Sequence, residues 1–127
     1  MEVKDLDVLR PESKIIRIGG KDIDVSFVPC GITFEVDDII QELGKMDQTK
    51  IMTDPIEMKK AFNLSIDLCV VFCSHKYPEL NADWFKENTD ANQINAFSES
   101  IKEALARAYK GIENTGKNLK AAKAKKK

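Results

Sequence analysis

Two short apolar segments on either side of a glycine pair form the first regular pattern along the chain. Residues 14–18 are rich in β-branched side chains, which favour a strand. Residues 21–28 alternate apolar and polar positions, which is the period of a strand with one buried face. Gly19 and Gly20 permit the positive φ angles of a tight turn, so the two segments predict an antiparallel β-hairpin. We expect its buried face to carry Ile23, Val25 and Phe27.

Apolar positions three and four residues apart then predict a first helix. It begins near Thr33, whose hydroxyl is suited to cap a helix N-terminus, and it ends near Gly44. The following residues 45–53 are expected to form a polar connector.

The clearest helix start in the sequence lies at Asp54. Asp54 is suited to the N-cap, Pro55 to the first helical position, and Glu57 has the spacing of a capping box. This helix is predicted to run to about Ser74. Because residues 66–73 are apolar on nearly every face, we expect it to lie at the centre of the fold.

Two further helical segments follow. Residues 81–88 predict a short helix or turn that carries two aromatic side chains. Thr89 or Asp90 is expected to cap the next helix, and Asp90 with Gln93 has capping-box spacing. This helix is expected to end at Gly111 and Gly116. The apolar stripe of this last helix comprises Ile94, Phe97, Ile101, Leu105 and Ala108.

A hairpin followed by helices predicts the α+β class, with an N-terminal antiparallel β-hairpin packed against three to four helices. Residues 1–13 are expected to form an N-terminal arm, residues 14–113 a single α+β domain, and residues 114–127 a disordered lysine-rich tail. A domain of this size can build one core without disulfides or metals to hold it together.

Composition argues against membrane and secreted proteins. No run of about 20 apolar residues occurs, and the charged first residues do not resemble a signal peptide. The three cysteines are an odd number and lie among apolar neighbours. This pattern argues against a disulfide framework and favours a reducing compartment, so we expect an intracellular protein without a membrane partner.

The charge of the chain is unevenly distributed. Residues 117–127 contain six lysines and no acid, which is a charge of +6 within a formal net charge of −1, so residues 1–116 carry −7. An acidic body repels a phosphate backbone, and no aromatic residue interrupts the lysines to stack on bases. We therefore do not expect nucleic acid as a partner.

The residues Cys69, Cys73 and His75 come nearest to a metal or catalytic cluster. A structural zinc site needs a fourth ligand, and the chain has no CxxC pair. The only histidine lies two residues after Cys73, and positions i and i+2 of a helix face apart. We interpret Cys69 and Cys73 as core residues. We predict no catalytic residue, no metal and no cofactor, and hence no enzyme.

Three aromatic residues gather in the connector between the two long helices. Tyr77, Trp84 and Phe85 could form a partner-binding surface, because aromatic side chains are enriched in binding hot spots. The interpretation that we favour is that they seal one end of the core, since large aromatics also dominate core burial. The sequence leaves both interpretations open.

The hairpin KIIRIGGKDIDVSFV, the helix entry DPIEMKKAF and the closing pattern WFKENTDANQINAFSESIKEAL resemble the tail assembly chaperones of long-tailed bacteriophages and prophages. The resemblance covers roughly residues 14–110. It implies a non-catalytic protein of the bacterial host cytoplasm. Such a protein binds the long, helix-rich tape measure protein and keeps it soluble while the tail assembles.

A chaperone of this kind needs apolar surface that an unassembled helix can reach. Besides the aromatic connector, we expect the last helix to contribute to that surface. Two other functions stay open: a structural phage tail component of the tail completion or connector type, and a small intracellular protein-interaction domain. A homo-oligomer is also left open. The predicted partner-binding residues are Tyr77, Trp84, Phe85, Ile94, Phe97 and Ile101.

Overall fold

The computed structural model describes the backbone of residues 3–125 and the side chains of residues 3–109. In that part of the chain a two-stranded antiparallel sheet precedes five α-helices, so the predicted α+β class with an N-terminal hairpin is confirmed. None of the helices between residues 3 and 125 is long and apolar enough to cross a membrane. After a 3₁₀ helix at Leu6–Leu9, the elements are β1 (Ile15–Ile18), β2 (Lys21–Asp24), α1 (Cys30–Lys45), α2 (Gln48–Thr53), α3 (Pro55–Cys73), α4 (Ala82–Asn88) and α5 (Ala91–Lys125).

The hairpin turns at its two glycines, as predicted. Gly19 and Gly20 have φ angles of 56° and 80°, and β1 pairs with β2 so that Ile18 lies opposite Lys21. Ile18 of β1 and Ile23 of β2 are buried. The turn therefore presents one apolar face to the helices.

Strand β2 is shorter than the alternating pattern predicted. It ends at Asp24, because the Asp24 carboxylate accepts hydrogen bonds from both the backbone N–H and the hydroxyl of Ser26. This local turn reverses the alternation: Ser26 is buried, whereas Phe27 is exposed. The prediction that Phe27 shares the buried face of Ile23 and Val25 is therefore wrong.

Helix α1 begins earlier than predicted, at Cys30. The Thr33 hydroxyl does not cap it but donates to the carbonyl oxygen of Pro29, one turn back. The segment predicted as a polar connector contains helix α2, since the Asp47 carboxylate accepts from the N–H groups of Thr49 and Lys50. This additional helix explains why five helices are found where three to four were expected.

Helix α3 is the central helix, as predicted. It starts where the Asp54 carboxylate accepts from the N–H of Ile56 and it ends at Cys73. It contacts α1, α2, α4 and α5. Of its apolar second half, only Asp67 is exposed. The buried side chains of α3 are Ile66, Leu68, Cys69, Phe72 and Cys73.

Helix α5 begins with the predicted capping box. Asp90 and Gln93 exchange hydrogen bonds of 2.9 Å, each side chain accepting from the backbone N–H of the other residue. The helix continues through Gly111 and Gly116 to Lys125, so the end predicted at these glycines is wrong. The side chains of residues 110–127 lie outside the described part, and the domain boundaries stay predictions.

Candidate partner-binding surfaces

Four of the six predicted partner-binding residues lie in the core. Phe85, Ile94, Phe97 and Ile101 are at most 1% exposed. The ring centroids of Phe85 and Phe97 are 6.2 Å apart, and both belong to the core that α3 organises. In this fold these side chains cannot reach a partner, which corrects the expectation that they line a binding surface.

The remaining two, Tyr77 and Trp84, are half-buried and pack against the core. The Trp84 ring meets Phe85 edge to face at 5.0 Å and covers Gly19 in the hairpin turn. The N–H of Tyr77 donates to the carbonyl oxygen of Cys73 just past the end of α3. The aromatic connector thus seals one end of the core, which is the alternative that the sequence left open.

The thiols of Cys69 and Cys73 are buried. Desolvation by burial raises the pKa of both thiols to about 12, so both stay protonated at neutral pH. The Cys69 sulfur lies 3.8 Å from the Ser98 hydroxyl. Both cysteines are therefore core residues, in agreement with the interpretation of the sequence.

The other candidate groups are at the surface. Cys30 is exposed at the first turn of α1, and His75 is exposed after α3, where its ring meets Phe72 edge to face. Among the described residues no three His, Cys, Asp or Glu side chains are grouped as a metal site would require.

An apolar groove opens between the end of α2, the first half of α3 and the start of α5. We call it the α2–α3 groove; its volume is about 470 Å³. Three apolar side chains of α2 and α3 are strongly exposed: Met52 by 78%, Ile56 by 74% and Met58 by 50%. Residues lining the groove include Ile51, Pro55, Met58, Lys59, Phe62 and Ala91.

Sequence reasoning missed the α2–α3 groove because residues 45–53 were interpreted as a polar connector. The sequence does carry a sign of this surface. An isoleucine and a methionine lie close together before Asp54, at Ile51 and Met52, and again after it, at Ile56 and Met58. Methionine is flexible and polarisable, and it is over-represented on surfaces that bind varied apolar partners.

A second cleft lies between the N-terminal arm, the chain after β2 and α5. We call it the arm cleft; its volume is about 310 Å³. The Arg10 guanidinium stacks over the Phe27 ring, 4.0 Å from its centroid, and this cation–π contact joins the arm to the body. Residues lining the cleft include Arg10, Pro11, Phe27, Val28, Ala104 and Arg107.

No family model, curated protein or solved structure matches this chain.

Proposed function

We propose that this protein is a phage or prophage tail assembly chaperone that binds apolar helical segments of the tape measure protein through the α2–α3 groove. The observation that carries the proposal is the methionine-bearing apolar surface beside this groove, where Met52, Ile56 and Met58 are half or more exposed. Large apolar side chains grouped on a surface are typical of protein-interaction sites. The resemblance of residues 14–110 to the chaperone family supports the same function.

The lining of the groove is contributed by three helices. Ile51 comes from α2, Phe62 from α3 and Ala91 from α5. An amphipathic helix binds such a groove through apolar residues three and four positions apart. Each Met or Ile side chain that becomes fully buried contributes about 1.5–3 kcal/mol, so a few anchors suffice for reversible binding.

Co-expression with the product of the long reading frame beside its gene, the position expected for a tape measure protein, tests the proposal. The soluble fraction of the long protein and its co-purification with this chain are measured. We expect both to rise when the chain is present. If the long protein stays insoluble and does not co-purify, the chaperone function is rejected.

Matched variants test the groove itself. The double variant Met52→Ser/Met58→Ser removes Met58, which lines the groove, and Met52, the exposed neighbour of the lining residue Ile51. Val3→Ser/Ile15→Ser removes two exposed apolar side chains elsewhere. We expect the first pair to weaken co-purification about tenfold or more and the second to leave it unchanged. Equal effects of the two pairs would rule out the groove as the binding site.

A further inference from the structure

The described lining of the α2–α3 groove contains one charged side chain, that of Lys59 on α3. Its other residues are apolar or uncharged, and Ser65 and Asn95 are the polar ones among them. Lys59 is exposed, and it belongs to none of the ion pairs of the described residues. The groove therefore combines apolar walls with one lysine ammonium that has no acidic partner in the described part of the chain.

The acidic residues close to the groove are turned away from it or cap helices. Glu57 lies two residues before Lys59, and positions i and i+2 of a helix face apart. The carboxylates of Asp54 and Asp90 cap α3 and α5, where each accepts from a backbone N–H. None of these three acids belongs to the described lining. A carboxylate that pairs with Lys59 would thus come from the molecule that fills the groove.

Lys59 lies between two apolar side chains on the surface of α3. Ile56 precedes it by three residues and Phe62 follows it by three, and residues three apart are neighbours on a helix surface. Ile56 is 74% exposed, whereas Phe62 is half-buried in the lining of the groove. A helix that covers both apolar side chains also covers Lys59 and removes water from its ammonium. Removing water from an unpaired charge costs free energy, and a carboxylate on the incoming helix offsets that cost.

We propose that Lys59 selects among the helices that the groove binds and favours an apolar helix with a glutamate or aspartate beside its apolar stripe. A lysine or arginine at that place brings two like charges together and weakens binding. The alkyl stem of Lys59 packs along the apolar surface while its ammonium reaches the carboxylate. This selection rests on the proposed function, since it names the class of tape measure segment that the groove accepts.

Binding of three labelled synthetic peptides to this chain, measured by fluorescence anisotropy, tests the proposal. Each peptide has about 18 residues, enough to form a helix, and carries leucines three and four positions apart. The peptides differ only in one residue beside the leucine stripe, which is glutamate, glutamine or lysine. We expect the glutamate peptide to bind about two- to fivefold more tightly than the glutamine peptide, as an exposed ion pair allows, and the lysine peptide to bind most weakly. Equal binding of all three would overturn the proposal.

Charge reversal assigns the preference to Lys59. In Lys59→Glu the order of the three peptides should reverse, because the carboxylate then repels glutamate and attracts lysine. Lys60→Glu changes the charge equally at an exposed residue of α3 outside the described lining, so it should keep the original order. A preference for the glutamate peptide that survives in Lys59→Glu, or that Lys60→Glu reverses to the same extent, would overturn the role of Lys59.

The same peptides distinguish the charge preference from the groove itself. If all three bind equally and Met52→Ser/Met58→Ser weakens all three, the groove binds helices regardless of charge, and the role of Lys59 alone is rejected. If none of the peptides binds, the groove does not accept an amphipathic helix, and its proposed function is rejected together with the role of Lys59.

Discussion

The indole ring of Trp84 lies directly against Gly19, so that a Cβ atom built on Gly19 would stand 2.8 Å from Trp84 Cη2. The backbone at Gly19 is also left-handed, with a φ angle of 56°. One residue thus satisfies two requirements, a turn conformation and close contact with an aromatic ring. This contact attaches the hairpin to α4, and a two-stranded hairpin is only marginally stable without such a cover.

Substituting Gly19 by alanine should therefore be costly. We expect Gly19→Ala to lower the free energy of unfolding by about 2–4 kcal/mol, the sum of a left-handed backbone penalty and overpacking against Trp84. Urea unfolding measures the change. Gly20→Ala is the control, because Gly20 also has a positive φ angle but no atom lies within 4 Å of the place that a Cβ atom would take there. An equal loss of unfolding free energy in both variants would show that overpacking against Trp84 does not add to the cost of Gly19→Ala.

Truncation of Phe85 should destabilise the fold rather than remove a binding contact. The side chain is fully buried, so we expect Phe85→Ala to lower the free energy of unfolding by about 3–5 kcal/mol. Leu6→Ala, at an exposed apolar residue of the arm, should change it by less than about 0.5 kcal/mol. Thermal or urea unfolding of both variants makes the comparison. A small effect of Phe85→Ala would contradict its place in the core.

The three thiols should differ in reactivity. Only Cys30 is exposed, whereas Cys69 and Cys73 are buried and protonated at neutral pH. Because the thiolate is the reactive form, we expect an aromatic disulfide reagent to modify one thiol quickly in the native protein and all three after denaturation. Cys30→Ser should remove the fast phase. Rapid reaction of two or more thiols in the native state would contradict the burial of the pair.

The same two thiols predict a loss of stability at high pH. Burial raises the pKa of Cys69 and Cys73 from 9.0 to about 12 in the folded chain, so above pH 9 the unfolded chain releases protons that the folded chain retains. The stability that the folded chain has below pH 9 is therefore reduced by the ionisation of these thiols as the pH rises from 9 towards 12. Each thiol steepens the decline by at most about 1.4 kcal/mol per pH unit. Urea unfolding at several pH values should show a shallower decline for Cys73→Ala, and an identical decline would contradict the prediction.

Local patterns predicted much of this fold. The caps at Asp54 and Asp90 were found because a cap and its helix are adjacent in sequence, and the glycine turn was found because positive φ is a property of the residues themselves. Helix α2 was missed because it is only six residues long, too short for an apolar period to be recognised. Phe27 was misplaced because apolar and polar residues continue to alternate in the sequence after Asp24, although the Asp24–Ser26 turn ends the strand there.

The candidate surfaces were harder to predict, because exposure depends on neighbours that are distant in sequence. Ile94 and Phe34 are both apolar residues on helices, yet one is 1% exposed and the other 76%. Ile94 is buried because α5 packs on α3. Phe34 is exposed because no described residue covers it. The apolar period of a helix predicts that a face is buried, but it does not identify what covers that face.

The central position of α3 sets an order in which a nascent chain can reach its final packing. Helices α1 and α2 can pack against α3 once α3 has been synthesised, since both contact α3 directly. The hairpin is synthesised before all of them, yet the ring that covers its turn belongs to α4. The hairpin is thus made early, but its turn is covered only once α4 has been synthesised.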